Sequence, residues 1–287
     1  MDKQFIIDKL KVRYANLTAN QKKIAKYIFD HYESASFMSA KRLAEAVGVS
    51  DATVIRFATA AGFADYTDMT KNMRADVIAY NEPETRITKS LGIIHNQKNL
   101  FKQILNCDID NLMKFSKEFD VKRIQQAVDE IYKAKRIFLM GIGTSSLLTT
   151  FLHMHLRRMG FDVLSVSENT MFDYEKMLLI RKSDLLIACS TPRYAKSTLS
   201  AAHYAKKKKA RVIAITDSEF APISVSSNIL LRINVDNITF FHSWLVGMEL
   251  CNLLLMSVLE RQGEQMQATL KENCRNIDYF YQNNHSK

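Results

Sequence analysis

The chain has 287 residues, of which 47% are hydrophobic and 24% charged; this composition suits two folded domains and excludes a disordered chain. Its formal net charge of +10 favours an anionic partner, such as nucleic acid, an acidic membrane surface or a phosphorylated ligand, without choosing among them. The four cysteines lie far apart, the N-terminal residues are studded with charge, and no apolar run reaches the roughly 18 residues of a spanning helix, so we expect a cytoplasmic protein without zinc motifs, disulfide framework or membrane span.

The first 80 residues carry helix signals separated by tight turns. Thr18, with Gln21 three positions later, matches a capping box, and apolar residues then recur at helical spacing. Ser39 and Ser50 are placed to cap two further helices, and Gly62 is placed to end the second of them. These signals predict an all-α domain.

The two helices after Ser39 show the spacing of a helix-turn-helix. The first helix of that motif must present a small residue to the second, which is Ala44, and the turn needs a residue free to take positive φ, which is Gly48. The second helix must fill the gap with a branched apolar side chain, which is Val54. The pattern predicts a DNA-binding head whose second helix enters the major groove.

Six residues of this head are the candidate DNA contacts: Ser50, Asp51, Ala52, Thr53, Arg56 and Lys71. Ala52 can touch a thymine methyl group, Thr53 can bond a base or a phosphate, and Arg56 can reach guanine or a phosphate. Two structural alternatives stay open. Ser50 can serve as a helix cap alone, and Arg56 can form a surface salt bridge, for example with Glu45.

Beyond the head the pattern changes twice. The Asn-Glu-Pro run at 81–83 marks a boundary, so we expect the head at residues 1–80, a helical linker at 81–120 and a second domain at 121–270. In that domain near-continuous apolar runs alternate with helical segments, which predicts a doubly wound parallel α/β sheet. The predicted strands are Arg136–Met140, Asp162–Val166, Asp184–Cys189, Arg211–Thr216 and Asn228–Ile233.

Two loops at the carboxyl ends of these strands are candidate anion sites. The first strand leads into a glycine-rich turn that opens a helix, and helix N-termini, hydroxyls and a guanidinium all suit phosphate or carboxylate. The candidate ligand residues are Gly143, Thr144, Ser145, Ser146, Ser190 and Arg193. Three alternatives remain: a capped helix without a ligand, a rigid surface turn at Pro192 and Arg193, and a dinucleotide site with Glu168 on a ribose.

The head closely resembles the N-terminal domain of the RpiR/MurR regulators. The matching residues are Leu43–Glu45, Val49–Ser50, Thr53–Val54, Arg56–Phe57, Gly62–Phe63 and Tyr66, with Ala61 where leucine is usual. The resemblance implies that the second domain is a SIS (sugar isomerase) domain, which typically binds phosphosugars. The usual phosphate loop of that domain is Ser-x-Ser-Gly-x-Thr; this chain keeps Ser190 but has Pro192, Arg193 and Ala195 at the later positions.

We therefore expect a transcription regulator that binds a pseudo-palindromic operator as a homodimer or higher oligomer and senses a small anionic metabolite, phosphosugar or sugar acid. The apolar segment Trp244–Leu259 is predicted to be a buried helix that also supplies subunit contacts. No catalysis, cofactor or metal is expected. His153 and His155 are two residues apart and do not share a helix face, so they do not form a metal pair. Two enzymatic alternatives remain: a sugar-phosphate isomerase, with His242 or Glu249 as base, and a nucleotide-binding oxidoreductase.

Overall fold

The computed structural model describes residues 12–80, 84, 87, 88, 90, 91 and 99–283, and the chain divides into two compact units. One unit contains the N-terminal helices, and the other contains a parallel sheet with its helices. The predicted boundary at 81–83 lies outside the described residues, and the limits expected for head, linker and second domain stay predictions. Within the described ranges, no helix is long and apolar enough to cross a membrane.

The N-terminal unit is made of short helices, as its caps and turns predict. Thr18 and Gln21 form the capping box, each side chain accepting from the other residue's N–H. Ser39 and Ser50 cap the two helices of the motif through the N–H groups three residues later. The helices are α1 (Ala19–Asp30), α2 (Tyr32–Phe37), α3 (Ala40–Val47), α4 (Asp51–Ala60) and α5 (Tyr66–Tyr80).

The core of this unit is apolar, and two of its tyrosines, Tyr32 and Tyr66, add polar contacts to it. Its largest fully buried side chains are Ile24, Ile28, Met38, Leu43, Phe57, Met69 and Met73. The Tyr32 hydroxyl donates to the Asp76 carboxylate at 2.8 Å, and the Tyr66 hydroxyl donates to the Met38 carbonyl at 3.1 Å. Burial raises the pKa of Asp76, and the hydrogen bond from Tyr32 opposes part of that rise.

The second unit begins within α6 (Leu100–Glu118), at Leu105, and continues with α7 (Val121–Lys133). Its strands are β1 (Ile137–Gly141), β2 (Val163–Ser165), β3 (Leu185–Cys189), β4 (Arg211–Thr216) and β5 (Ile229–Arg232). Its further helices are α8 (Ser146–Arg158), α9 (Met171–Leu178), α10 (Lys196–Lys207), α11 (Leu245–Gln262) and α12 (Glu264–Asn283).

All five strands are parallel, and their order across the sheet is β2-β1-β3-β4-β5, so the predicted doubly wound sheet is confirmed. The strands begin and end within one residue of the predicted positions. Arg136 and Asp184, both predicted as first strand residues, lie just before β1 and β3, where they form a salt bridge at 2.7 Å. Between β4 and β5 the chain forms only a 3-10 turn, Pro222–Ser226, in place of a full helix.

Successive strand residues point to opposite faces of the sheet, and one face builds the main core. On that face Ile137, Leu139 and Ile187 pack with side chains of α7, α8 and α11. The helix α10 packs mainly against β3 and β4. The buried helix predicted over Trp244–Leu259 is α11, most of whose apolar residues lie in the core of its own unit.

Candidate functional site

The turn between α3 and α4 has the geometry that a helix-turn-helix requires. Gly48 follows α3 with a φ of +75°, in the left-handed region, and its N–H donates to the Ala44 carbonyl at 2.9 Å. The Val49 N–H donates to the same carbonyl at 3.0 Å. Residues with a Cβ disfavour this region by about 1–2 kcal/mol, so a glycine lets the chain reverse within so short a turn.

The second helix of the motif, α4, is fixed by its apolar face and by its cap. Val54 and Phe57 are fully buried. Ser50 accepts from the Thr53 N–H at 3.3 Å, and the two hydroxyl oxygens lie 2.8 Å apart. Thr53 is half-buried. Both hydroxyls therefore take part in capping α4, and a contact of either with DNA stays a prediction.

The opposite face of α4 is exposed, and it is the face that a recognition helix turns toward the major groove. Asp51, Ala52 and Arg56 are all exposed there. Ile55 is exposed beside them, and sequence reasoning did not single it out. The signal that would have found it is its position off the apolar stripe of α4. Lys71 is exposed on α5.

In the second unit, the predicted ligand residues lie where β1 and β3 end side by side. Gly141 pairs with Cys189 in the register of the two strands, so the loops that follow leave the sheet at the same level. The strand order reverses between β1 and β3. Open α/β sheets bind their ligands in the crevice at such a reversal, outside the carboxyl ends of the strands.

The loop after β1 is a tight turn rich in hydroxyl groups. Gly143 has a φ of +62° and opens a 3-10 turn, and Thr144 is exposed. The Ser146 hydroxyl donates to the Gly143 carbonyl at 2.7 Å. Ser145 is buried, does not cap α8, and places its hydroxyl oxygen 3.3 Å from that of Thr191. Side chains therefore join the β1 loop to the β3 loop.

The loop after β3 contains a buried hydroxyl that lacks a partner. Ser190 is 3% exposed, and among the residues that the structure describes none bonds its Oγ. Its backbone is fixed, since its N–H donates to the Ile215 carbonyl at 3.0 Å and its carbonyl accepts from the Thr216 hydroxyl at 2.6 Å. Thr198, in the first turn of α10, is 1% exposed and its hydroxyl is equally unbonded. Leaving a buried polar group unpaired costs about 1–3 kcal/mol, so each hydroxyl needs a partner such as an ordered water or a ligand group.

Arg193 and Tyr194 form a left-handed turn that follows these hydroxyls. Their φ values are +88° and +38°, in a region that residues other than glycine seldom adopt. Tyr194 is buried, its N–H donates to the Thr191 carbonyl at 2.8 Å, and its hydroxyl donates to the Asp217 carboxylate at 2.9 Å. These bonds hold the turn in its strained shape. Arg193 itself is exposed.

Cys189, the last residue of β3, forms part of the floor beneath the two loops. Burial raises the pKa of its thiol to about 12, although a hydrogen bond with Ser145 acts in the opposite direction. The thiol therefore stays protonated at neutral pH. Buried and protonated, it has the character of an apolar core residue.

The geometry supports a ribose site on Glu168 less than it supports an anion site between the β1 and β3 loops. This residue is exposed, and its N–H donates to the Asp173 carboxylate at 2.7 Å, so Asp173 organises the loop after β2. Across the described residues, no group of three or more His, Cys, Asp or Glu side chains could hold a metal ion.

Thr191 and Thr198 are site residues that sequence reasoning missed, and the hydroxyl-rich composition of the stretch from Ser190 onward was the available signal.

Sequence comparisons cover both units. Residues 5–78 match the family described as the helix-turn-helix domain of the rpiR family, and residues 130–257 match the SIS domain. An uncharacterized HTH-type transcriptional regulator of Haemophilus influenzae is 25% identical over 277 residues, which cover 95% of this chain and 96% of the relative. Another, of Clostridium perfringens, is 22% identical over 258 residues, which cover 88% of this chain and 90% of the relative.

Two solved structures are similar in fold. The NanR protein of Vibrio vulnificus, complexed with ManNAc-6P, has a TM-score of 0.65 at 20% identity and covers 96% of this chain and 98% of its own. The sugar isomerase domain of an RpiR transcription factor from Sphaerobacter thermophilus has a TM-score of 0.59 at 26% identity and covers 62% of this chain and 99% of its own. The predicted combination of an all-α helix-turn-helix head with a parallel-sheet SIS-type domain is confirmed.

Proposed function

Because the chain belongs to the rpiR family of helix-turn-helix transcription regulators with a SIS domain, we propose that its SIS domain senses a small anionic sugar derivative and thereby changes operator binding. One observation carries the ligand half of this proposal. The loops after β1 and β3 are joined through Ser145 and Thr191, next to the unbonded and buried hydroxyl of Ser190. A polar group of the ligand that occupies this place would satisfy that hydroxyl.

The DNA half of the proposal rests on the exposed face of α4. Arg56 has the planar fork that bonds guanine in the major groove, and Ala52 and Ile55 offer apolar contact to thymine methyl groups. Asp51 lies in the first turn of the same helix. Lys71 and the overall charge of +10 would add phosphate contacts, which strengthen binding to any duplex without specifying sequence.

The ligand site offers hydrogen-bond donors and a cation in the arrangement that suits an anion. The N-terminus of α10 has no side-chain cap, so the amides of its first turn are available to a ligand, whereas the first amide of α8 already donates to the Gly143 carbonyl. The hydroxyls of Ser190 and Thr198 add donors, and Arg193 follows on the same loop. Gly143, Thr144 and Ser146 shape the opposite loop. Phosphate and carboxylate both fit these groups, and the ManNAc-6P bound by NanR favours a sugar phosphate.

We propose a homodimer as the smallest form that binds the operator. A single head contacts few base pairs, and a two-fold protein matches a pseudo-palindromic site. The helix α11 buries most of its apolar side chains in its own unit and exposes Leu245 and Met256; that it also supplies subunit contacts stays a prediction. Sedimentation at micromolar concentration tests this point, and a monomeric mass would contradict it.

The proposal includes no catalysis. In the isomerase alternative a base must reach the open-chain sugar, and His242 is instead near the Val235 carbonyl, with Nδ1 at 3.4 Å, while Glu249 is half-buried on α11. A coupled isomerase assay is expected to show no turnover of the ligands that bind.

A thermal-shift panel of phosphosugars, sugar acids and nucleotides tests the proposed function. A ligand present at 100 times its Kd stabilises the native state by about 2.7 kcal/mol. We expect stabilisation by an anionic sugar derivative. Protection by a dinucleotide alone, or by no anionic sugar at all, would contradict the proposal.

A further inference from the structure

The N-terminus of α11 lacks the cap that two other helices of the same unit possess. The Asp120 side chain accepts from first-turn N–H groups of α7, and Thr170 does the same for α9. The residue before α11 is Trp244, whose side chain makes no such bond, and the first turn of α11 contains no acidic residue. The amides of that turn and the helix dipole therefore leave a partial positive charge at this end.

A buried hydroxyl without a partner lies at the same open end. Ser243 directly precedes Trp244, is 5% exposed, and makes no side-chain hydrogen bond to any described residue. Its N–H is tied to the Val235 carbonyl at 3.2 Å, so its backbone is fixed. Thr198 shows the same combination, since its hydroxyl is buried and unbonded and it lies in the first turn of α10, whose N-terminus has no side-chain cap. Since buried polar groups are nearly always paired in folded proteins, the repeated combination points to a bound group at each of the two helix ends.

The open end of α11 lies beside the loops of the ligand site. A Cβ built on Gly247, the third residue of α11, would stand 2.8 Å from Leu148 Cδ1, in the first turn of α8, so these two helices touch at their N-terminal turns. Cys251, one turn further, is buried in the same cluster as Cys189 at the end of β3. From Cys251 back to Leu245 the helix extends ~9 Å. The first turn of α11 therefore lies beside the first turn of α8, which directly follows the β1 loop.

We propose that Ser243 and the first-turn amides of α11 bind a carboxylate at one end of the ligand, while Ser190 and Arg193 hold a phosphate at its other end. This inference rests on the proposed function and makes the ligand a phosphorylated sugar acid. The two subsites are linked through the β1 loop, because Ser145 of that loop lies 3.3 Å from Thr191 of the β3 loop and α8, which follows the β1 loop, touches α11 at Gly247. A carboxylate accepts hydrogen bonds from a hydroxyl and from helix amides, and these are the donors that this subsite offers.

Calorimetry with paired ligands tests the subsite. The 6-phosphates of gluconate, mannonate and galactonate are compared with the alditol 6-phosphates of the same configuration, which differ only in carrying a hydroxymethyl group at C1. The wild-type protein is expected to bind at least one acid roughly tenfold or more tightly than its alditol, as hydrogen bonds to a charged group warrant. Ser243→Ala should remove most of that preference and leave the affinity for the alditol phosphate unchanged.

The stability of the variant and a matched control complete the test. Ser243→Ala should not lower the melting temperature of the ligand-free protein, because the hydroxyl has no protein partner to lose. Ser257→Ala makes the same change further along α11, where the hydroxyl donates to the Leu253 carbonyl at 2.8 Å. That variant should retain the full preference for the acid.

Three results would overturn the inference: equal affinity of the wild-type protein for acids and alditols, no binding of any phosphorylated acid, or a preference that survives Ser243→Ala. The variant Arg193→Gly distinguishes a failure of the carboxylate subsite from a failure of the proposed function. If Arg193→Gly abolishes binding of the alditol phosphates while Ser243→Ala changes nothing, the anion site stands and only the carboxylate subsite falls. If no anionic sugar, phosphorylated or not, binds the wild-type protein, both proposals fall.

Discussion

The hydroxyl oxygens of Ser145 and Thr191 lie 3.3 Å apart, each at the end of a different strand. The two strands, β1 and β3, are adjacent, and the strand order reverses between them. A short polar contact of this kind fixes the spacing of both loops, because neither side chain has the length to follow a large displacement of the other. A ligand that binds one loop therefore also restrains the second.

Arg56→Ala should weaken binding to a specific operator by about 1–3 kcal/mol if the guanidinium bonds guanine in bidentate fashion. The helix should remain folded, since Arg56 is exposed and lies off the buried stripe of α4. Fluorescence anisotropy with a duplex selected from a random library measures the change. Lys207→Ala, an exposed cation at the end of α10, is the control and should bind as the wild-type protein does. Unchanged affinity of the Arg56 variant would remove this residue from the recognition surface.

Gly48→Ala should destabilise the N-terminal unit by about 1–2 kcal/mol, the cost of a Cβ in the left-handed region. No atom lies within 4 Å of the position that the new Cβ would take, so the cost is conformational and not steric. Gly48→Asn should lose less stability, because asparagine enters that region more readily. Urea unfolding followed by circular dichroism distinguishes the three proteins. Equal stability of the alanine variant and the wild-type protein would show that the turn does not depend on glycine.

Arg193→Gly and Arg193→Ala should differ in stability but agree in function. Both remove the guanidinium, so both should abolish stabilisation by the anionic ligand. The backbone at this position has a φ of +88°, so the glycine variant should be more stable than the alanine variant by about 1 kcal/mol in the ligand-free state. Melting curves with and without ligand measure both effects. Ligand stabilisation that persists in both variants would reduce Arg193 to part of a surface turn.

Asp76 should make the stability of the N-terminal unit depend on pH. Burial raises the pKa of this carboxyl above its ordinary value, so the folded state holds the proton more tightly than the unfolded state does. Stability is therefore expected to fall as pH rises from the ordinary pKa through the raised one, and to be constant above it. Asp76→Asn keeps an oxygen that can accept from Tyr32 and should remove this contribution. The test is the difference between the unfolding free energies of the two proteins at several pH values; a difference that does not change with pH would contradict the expectation.

Local signals in the sequence predicted the elements of this fold well. The caps at Thr18, Ser39 and Ser50 and the positive φ of Gly48 follow from chemistry within a few residues, and all four are confirmed. Buried strands need continuous apolar runs, so their places were also predictable to within one residue. The salt bridge between Arg136 and Asp184, just before β1 and β3, joins residues distant in sequence and could not be predicted from local patterns.

The site was predicted less completely than the fold. Ser145 and Ser190 could be named because parallel strands bring their carboxyl ends to one edge of a sheet. The proposed contact of Ser243 with a carboxylate could not be inferred in the same way. It depends on α8 and α11 touching at Gly247, and these two helices are far apart in the chain. Likewise, the left-handed turn at Arg193 is held by the hydrogen bond between Tyr194 and Asp217, which no local sequence pattern predicts.

The central claim is that an anion bound between the β1 and β3 loops changes the affinity of the head for its operator. The most direct measurement is the operator Kd with and without the best ligand of the thermal-shift panel, for the wild-type protein and for Arg193→Gly. Coupling between two sites of one protein is typically worth about 1–3 kcal/mol, so the ligand should shift the wild-type Kd by about 5- to 150-fold. Arg193→Gly should bind the operator as tightly as ligand-free wild-type protein and show no shift. A wild-type Kd that ignores the ligand, or an equal shift in the variant, would contradict the claim.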